Sequence, residues 1–329
     1  MNDASATPYY RLDPNAVLQA IDSIGLISDG RLLALNSYEN RVYQVGIEDE
    51  TPVVAKFYRP GRWTDDQIIE EHEFTAELEE AEIPVVGPLT IDQRTLHSHD
   101  GFRFAVFPRR GGRAPELENE DTLNWLGRFI GRAHAVGRSS DFVHRPALDI
   151  QRFGVDSIAT INEGHWLPPH IEGSFNSLAE DLIFQIRACY ERAGHVRNIR
   201  LHGDCHPGNI LWRDGPIIVD MDDCQSGPAI QDLWMLLSGS NEEMSAQLGH
   251  VLEGYKQFCD FSYAELNLVE ALRTLRMLHH AAWLARRWED PAFPIAFPWF
   301  GEPRYWEDLV LGLREQLGAM QEQPLQPPI

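Results

Sequence analysis

Near the start of the chain, apolar residues fall into short extended runs. Arg41-Val42-Tyr43-Gln44-Val45 alternates with a period of two, and Leu32-Leu33-Ala34-Leu35 and Pro52-Val53-Val54-Ala55-Lys56-Phe57-Tyr58 are apolar strand runs. Leu89 to Thr95 and Phe102 to Phe107 complete a small sheet. Between these runs, Thr64 to Glu80 is rich in helix formers, and Thr64 followed by Asp65 and Asp66 is a helix start. Pro108 to Arg113 breaks the periodicity, and beyond it the pattern turns helical. A helix beginning at Asp121 carries Leu123, Leu126, Phe129 and Ile130 at helical spacing. Asn176 to Arg192, with Gly194 as its stop, and Leu266 to Trp288 are further helices. Strands and one helix followed by long helices predict an α+β, two-lobed chain. Residues 1–108 form a small antiparallel β-sheet lobe with an N-terminal helical extension, and residues 109–329 form a larger, mainly helical lobe. Pro291 to Trp306, dense in Pro, Phe and Trp, is expected to wrap the large lobe, and the tail from Gln321 to Ile329 to be mobile.

Composition narrows the function classes. The chain lacks an apolar run near 18 residues and a basic, then apolar, leader, so neither membrane insertion nor export is expected. Cys189, Cys205, Cys224 and Cys259 lack CxxC spacing, which fits a reducing cytoplasm. A formal charge of −22 opposes nucleic acid and anionic membranes and favours cationic partners, either basic protein segments or amino-bearing small molecules. Only two lysines, Lys56 and Lys256, stand against 26 arginines, so a lysine inside a strand run was selected for its compact ammonium.

The densest chemistry lies between Leu201 and Asp223. Asp204 and Asn209 share a short loop that can aim a carboxylate at a hydroxyl and an amide oxygen at a metal. Ile210 to Trp212 and Ile217 to Val219 form a hairpin around the turn Arg213-Asp214-Gly215-Pro216, which returns Asp220 beside Asn209. Two hard oxygen ligands then suit Mg²⁺ bridging phosphates, with Asp222 on the same strand face as Asp220, about 6.6 Å away. His202 and His206 lack a third zinc ligand nearby and are read as loop-orienting. Cys205 and Cys224 adjoin this chemistry, so oxidation at either is expected to impair activity, the alternative being buried small-residue packing. Together these features describe a phosphotransferase.

The pattern HGDxHxxN followed by a strand and an Asp resembles the aminoglycoside phosphotransferase and choline kinase superfamily, a branch of the protein-kinase-like fold. The resemblance implies ATP as co-substrate, Asp204 as catalytic base, Asn209 as a metal ligand, and Asp220 as a metal-binding and catalytic residue. It implies that Lys56 holds nucleotide phosphates and that Glu71, chosen over Glu70 and Glu73 through the EEHEF run, steadies it. Glu70 and Glu73 are left to solvent. It also points to Ser37, in a glycine-free Asn36-Ser37-Tyr38-Glu39-Asn40 loop, as a phosphate contact, and to Asp232 as an organiser of the catalytic loop. Asp232 also reads as a helix N-cap. Pro108 to Arg113 is either a hinge bonding the adenine edge or a plain loop. The runs LNSYENRVYQV, KFYRPGRW, LHGDCHPGNILWRDGP, QDLWMLL and RRWEDPAFP extend the resemblance over nearly the whole chain, to cytoplasmic bacterial Ser/Thr protein kinases of the stress response. A monomeric kinase of Ser/Thr hydroxyls on proteins, including itself, is the expectation. A kinase of small alcohols, homoserine-, choline- or aminoglycoside-like, shares every catalytic residue, and a nucleotide-binding pseudokinase scaffold is the third reading. Arg273, Arg276, Arg286 and Arg287 are read as a solvated helix face, the alternative being the substrate side of the site.

Overall fold

The computed structural model describes residues 8–328. The first seven residues and Ile329 lie outside them, and with them that part of the expected N-terminal extension, the leader reading and the last residue of the tail. The chain divides into two compact units. The first takes Met1–Pro115, Phe142–Arg145 and Gly208–Asp223, and the second takes Glu116–Asp141, Pro146–Pro207 and Cys224–Ile329.

In the first unit, β1 (Ser28–Ala34), β2 (Arg41–Ile47), β3 (Val53–Phe57), β4 (His97–His99) and β5 (Phe102–Pro108) form one antiparallel sheet in the order β1-β2-β3-β5-β4. The period of two in β3 decides what each face does. Val53, Ala55 and Phe57 enter a core shared with Val17, Ala20 and Ile21 of α1 (Pro14–Asp22). Lys56 lies opposite Ala105 in the register, and Ala105 packs with Tyr58 and with Ile68 of α2 (Asp65–Glu80). Lys56 is thereby turned toward α2, whose start is fixed by a capping box between Thr64 and Gln67.

The run from Leu89 to Thr95 is not a strand. Asp92 and Gln93 both adopt positive φ and close a tight turn between Ile91 and Arg94, so the outer strand forms instead at His97–His99. The signal for that pairing was Asp100-Gly101, a two-residue hairpin turn with both φ values positive. The catalytic hairpin forms as β7 (Ile210–Trp212) and β8 (Pro216–Ile218) with Asp214 at φ 59°. It is tied into the first unit by Ile218 N–H donating to the Pro84 carbonyl at 2.7 Å and by paired bonds between Arg113 and Trp212.

The second unit is built from α3 (Glu120–Gly137), α4 (Asp156–Glu163), α5 (Pro169–Ala193), α6 (Ile230–Trp234), α7 (Asn241–Tyr255), α8 (Val269–Arg287), α9 (Ala292–Ala296) and α10 (Pro303–Ala319). Two short strands, β6 (Ile199–Leu201) and β9 (Gln225–Gly227), pair antiparallel. Helix α3 is capped by Asn119 and approaches α7 so closely that a Cβ at Gly127 would collide with the Val251 carbonyl. Helix α5 begins seven residues before its expected start, because Pro169 is well placed in a first turn. Residues 263–268 form a 3₁₀ turn, so the helix expected from Leu266 begins at Val269. The aromatic stretch packs as expected: Phe300 meets the rings of Trp166, Trp288 and Tyr305 at tilted angles and that of Trp306 edge-on. The tail departs from expectation up to residue 328. Leu325 is buried, and Gln326 N–H donates to Ser245 Oγ on α7 at 3.0 Å, so apolar docking and a backbone bond hold this segment in place.

Candidate active site

Lys56 is the centre of the first unit's chemistry. Its Nζ lies 3.6 Å from Glu71 Oε1, 3.1 Å from Asp220 Oδ1 and 3.1 Å from Asp222 Oδ1. The Lys56 side chain is only 7% exposed. Burial opposes its charge, but the carboxylates of Asp222, Glu71 and Asp220 outweigh burial and hold it well above the ordinary lysine range. Burial pushes Glu71 up, with Lys56 opposing that rise. Asp222 goes the other way: burial is outweighed by Arg62, Lys56 and Arg145, which keep it well below the usual carboxylate range.

Helix α2 delivers Glu71 through one buried face, Ile68, Glu71, His72, Thr75 and Leu78. Next to it, His72 bonds the Tyr58 hydroxyl at 2.7 Å and Thr95 Oγ1 at 2.8 Å, and burial lowers it to about 3, so the imidazole is neutral. Glu70 is not left to solvent. Its carboxylate accepts the backbone N–H groups of Val143, His144 and Arg145 at 2.5, 2.9 and 2.6 Å. Arg145, whose side chain is fully buried, then reaches back to Glu71 Oε2 at 3.8 Å and donates to the carbonyls of Met221 and Asp222. Adjacent glutamates on α2 thus grip the same four-residue segment, one by its backbone and one by its side chain. Glu73 is exposed, as expected.

Asp220 and Asp222 do not share a strand face. Asp220 has φ 60° and residues 221–223 form a 3₁₀ turn, so the strand ends before the pair. The left-handed backbone turns Asp220 outward, leaving it 55% exposed, while Asp222 is buried. Asp222 also pairs with Arg62 and accepts from Asn40 Nδ2 at 3.2 Å, and Arg62 bonds Asp223 at 2.5 Å. Asn40 Oδ1 accepts the Arg59 N–H at 3.1 Å, and Ser37 Oγ donates to the Asn40 carbonyl at 3.2 Å. The glycine-free loop is therefore fixed by side chains, and Ser37 helps to close it.

Asn209 ends a short 3₁₀ turn just before β7, and Val219 N–H donates to its carbonyl at 3.0 Å, which makes it the near neighbour of Asp220 that the hairpin predicts. Among the described residues no group of three or more His, Cys, Asp or Glu is arranged to hold a metal ion. One exposed carboxylate and one amide oxygen fit a hard cation that takes its remaining ligands from phosphates and water.

Asp204 belongs to the second unit, five residues before Asn209, with the boundary between Pro207 and Gly208. Its loop is organised by Asp232, whose carboxylate accepts the N–H groups of His202 and Gly203, both at 2.9 Å. The same carboxylate meets His134 Nε2 at 3.1 Å, and His134 Nδ1 meets the Tyr255 hydroxyl at 3.0 Å. Gly203 has φ 83°, which a side chain would strain. Asp232 lies inside α6 rather than capping it, since Ala229 holds the cap position. His202 Nδ1 accepts the Asp204 N–H at 3.2 Å, and His206 Nε2 lies 3.5 Å from Asp204 Oδ2, the loop-orienting roles expected of both. Arg276 on α8 pairs with Asp204 Oδ1 and so is not part of a solvated face. Burial works to raise the Asp204 carboxyl, but the His206 bond and Arg276 hold it well below the usual range.

The structure thus gathers Lys56, Glu71 and Asp220 in one unit and places Asn209 beside Asp220. Sequence reading missed the parts played by Asp222, Arg62, Arg145 and Arg276. All four cysteines are free and buried, and burial pushes the Cys205 thiol well above its ordinary value.

The sequence profile of the phosphotransferase enzyme family, APH, matches residues 31–269. The chain belongs to the phosphotransferase enzyme family. Stress response kinase A of Escherichia coli strain K12 is 44% identical to this phosphotransferase over 326 residues, covering 99% of this chain and 98% of that protein. Serine/threonine protein kinase RdoA of Salmonella typhimurium strain LT2 is 42% identical with the same coverage. The solved structure of amicoumacin kinase hAmiN in complex with AMP-PNP, Ca²⁺ and Ami has a TM-score of 0.73 at 18% identity, covering 96% of this chain and 95% of that one. That likeness shows the fold, which is protein-kinase-like. This phosphotransferase is a kinase. No helix among the described residues is long and apolar enough to cross a membrane.

Proposed function

We propose that this kinase transfers the γ-phosphoryl group of ATP, with Mg²⁺, to Ser/Thr hydroxyls of proteins, itself included, in the cytoplasm during a bacterial stress response. The observation that carries the proposal is the buried Lys56 ammonium held between Glu71 and the Asp220–Asp222 pair, a compact cation facing a half-exposed carboxylate. In this reading Lys56, steadied by Glu71, binds the α- and β-phosphates, and the Ser37 loop covers them. Asn209 and Asp220 would hold the metal, which would supply charge neutralisation on the phosphate oxygens. Asp204 orients the incoming hydroxyl and accepts its proton. The protein acceptor is favoured by a relative that matches along nearly its whole length and is named a serine/threonine protein kinase. The net charge of −22 favours basic segments around the acceptor.

Incubation with γ-labelled ATP, first alone and then with histone or with small alcohols, tests this reading. Label on the chain and on histone is expected. Label only on homoserine, choline or an aminoglycoside would move the function to a small-molecule kinase, and nucleotide binding without transfer to a pseudokinase.

A further inference from the structure

The loop backbone around Asp204 is fixed by Asp232 and Gln231, whose Nε2 donates to the Gly203 carbonyl at 3.0 Å. The direction of the carboxylate is a separate matter from that of the backbone, because the terminal torsion of an aspartate is broad. Its two oxygens are nevertheless assigned separately, Oδ2 to His206 at 3.5 Å and Oδ1 to Arg276. Arg276 comes from α8, 72 residues further along the chain, and its flanking Leu275 and Leu278 are fully buried. The guanidinium therefore stands on a rigid support. The other arginines of that helix face structural partners: Arg273 meets Glu270 and the Trp234 ring, Arg286 meets Thr160, and Arg287 lies over Trp283. Arg276 is 40% exposed and Asp204 is 23% exposed, so the pair is still open to an incoming group.

We propose that Arg276 is a positioning residue that sets the orientation of the Asp204 carboxylate toward the acceptor hydroxyl. The proposal rests on the reading of Asp204 as the group that receives this hydroxyl. A carboxylate paired with a guanidinium is a weak proton acceptor, so what Arg276 contributes is direction rather than basicity. A loose phosphoryl-transfer transition state, in which the hydroxyl proton leaves late, tolerates that exchange.

The test measures ADP release with histone as acceptor for wild type, R276A, R276K and D204N, with thermal unfolding of each. R276A is expected to lose roughly 30- to 100-fold in kcat, the cost of a misdirected catalytic group, with the KM for ATP within about twofold of wild type. Either millimolar guanidinium added to R276A or the R276K change should recover part of kcat, which a merely structural role would not allow. Wild-type kcat in R276A, or a loss that neither lysine nor guanidinium repairs, overturns the proposal. D204N separates the two readings: if it turns over at the wild-type rate, the role of Asp204 fails first. If D204N is inactive while R276A is normal, only the role of Arg276 fails.

Discussion

The Lys56 ammonium lies 3.1 Å from Asp222, closer than the 3.6 Å that separates it from Glu71. One lysine thus serves three carboxylates, and the two aspartates differ sharply in burial. Asp222 is walled in by Lys56, Arg62 and Asn40, and Asp220 is half open. Asp222→Asn should lower stability by about 3 to 5 kcal/mol, because it leaves buried cations without their counter-charge. Asp220→Asn should abolish divalent-dependent turnover while leaving the unfolding temperature nearly unchanged. Thermal unfolding of both variants, alongside labelled-ATP transfer, checks the contrast. Equal stability losses would contradict it.

Lys56→Arg preserves charge in a chain that otherwise prefers arginine. The wider guanidinium does not fit where a buried lysine side chain meets Glu71 and Asp222. Turnover should fall about 100-fold or more, with a raised KM for ATP. Full activity of the variant would remove the basis for reading Lys56 as a compact phosphate ligand.

Arg145 ties Glu71 to the carbonyls of Met221 and Asp222. Arg145→Met keeps much of the volume and removes every donor. It is expected to destabilise the fold by about 3 kcal/mol, the order found when one partner of a buried pair is lost. Glu70→Gln should be milder, since its amide oxygen still accepts backbone N–H groups. Denaturant unfolding of the two variants ranks them.

Asp204 gives a signed pH dependence. Its folded-state carboxyl is held below its unfolded value, so it adds stability above about pH 4 and loses that contribution as pH falls through the folded value. Asp204→Asn removes the linkage. The unfolding temperature of that variant should therefore fall less steeply than wild type between about pH 5 and pH 3. Parallel curves would contradict the depressed carboxyl.

Burial of all four cysteines, with the Cys205 thiol held protonated, argues against oxidative control through Cys205 or Cys224. Peroxide-treated kinase should keep its activity, and native protein should react slowly with a thiol reagent.

What was legible in the sequence was local. The apolar run around Lys56, the Thr64 start of α2 and the Asn209–Asp220 hairpin each announce themselves within about twenty residues, and their positions hold. Pairings across long separations left no such trace. Arg62 meets Asp222 from 160 residues away, Arg145 reaches Asp222 across 77, and Arg276 reaches Asp204 across 72. An arginine on a charged helix has the same local pattern whether it meets water or a distant aspartate. The strand expected at Leu89 to Thr95 failed for a different reason: two left-handed residues, Asp92 and Gln93, turned the chain within an otherwise extended apolar pattern. The tail was misread because its polar composition hides Leu325, the residue that docks it.

The role proposed for Asp204 lies in transfer and not in nucleotide binding. It is tested most directly by measuring Mg-ATP affinity and labelled phosphoryl transfer to histone on the same preparation of Asp204→Ala. Wild-type nucleotide affinity is expected, with transfer reduced at least about 100-fold, the scale of a lost catalytic acid–base group. Transfer at the wild-type rate would contradict it.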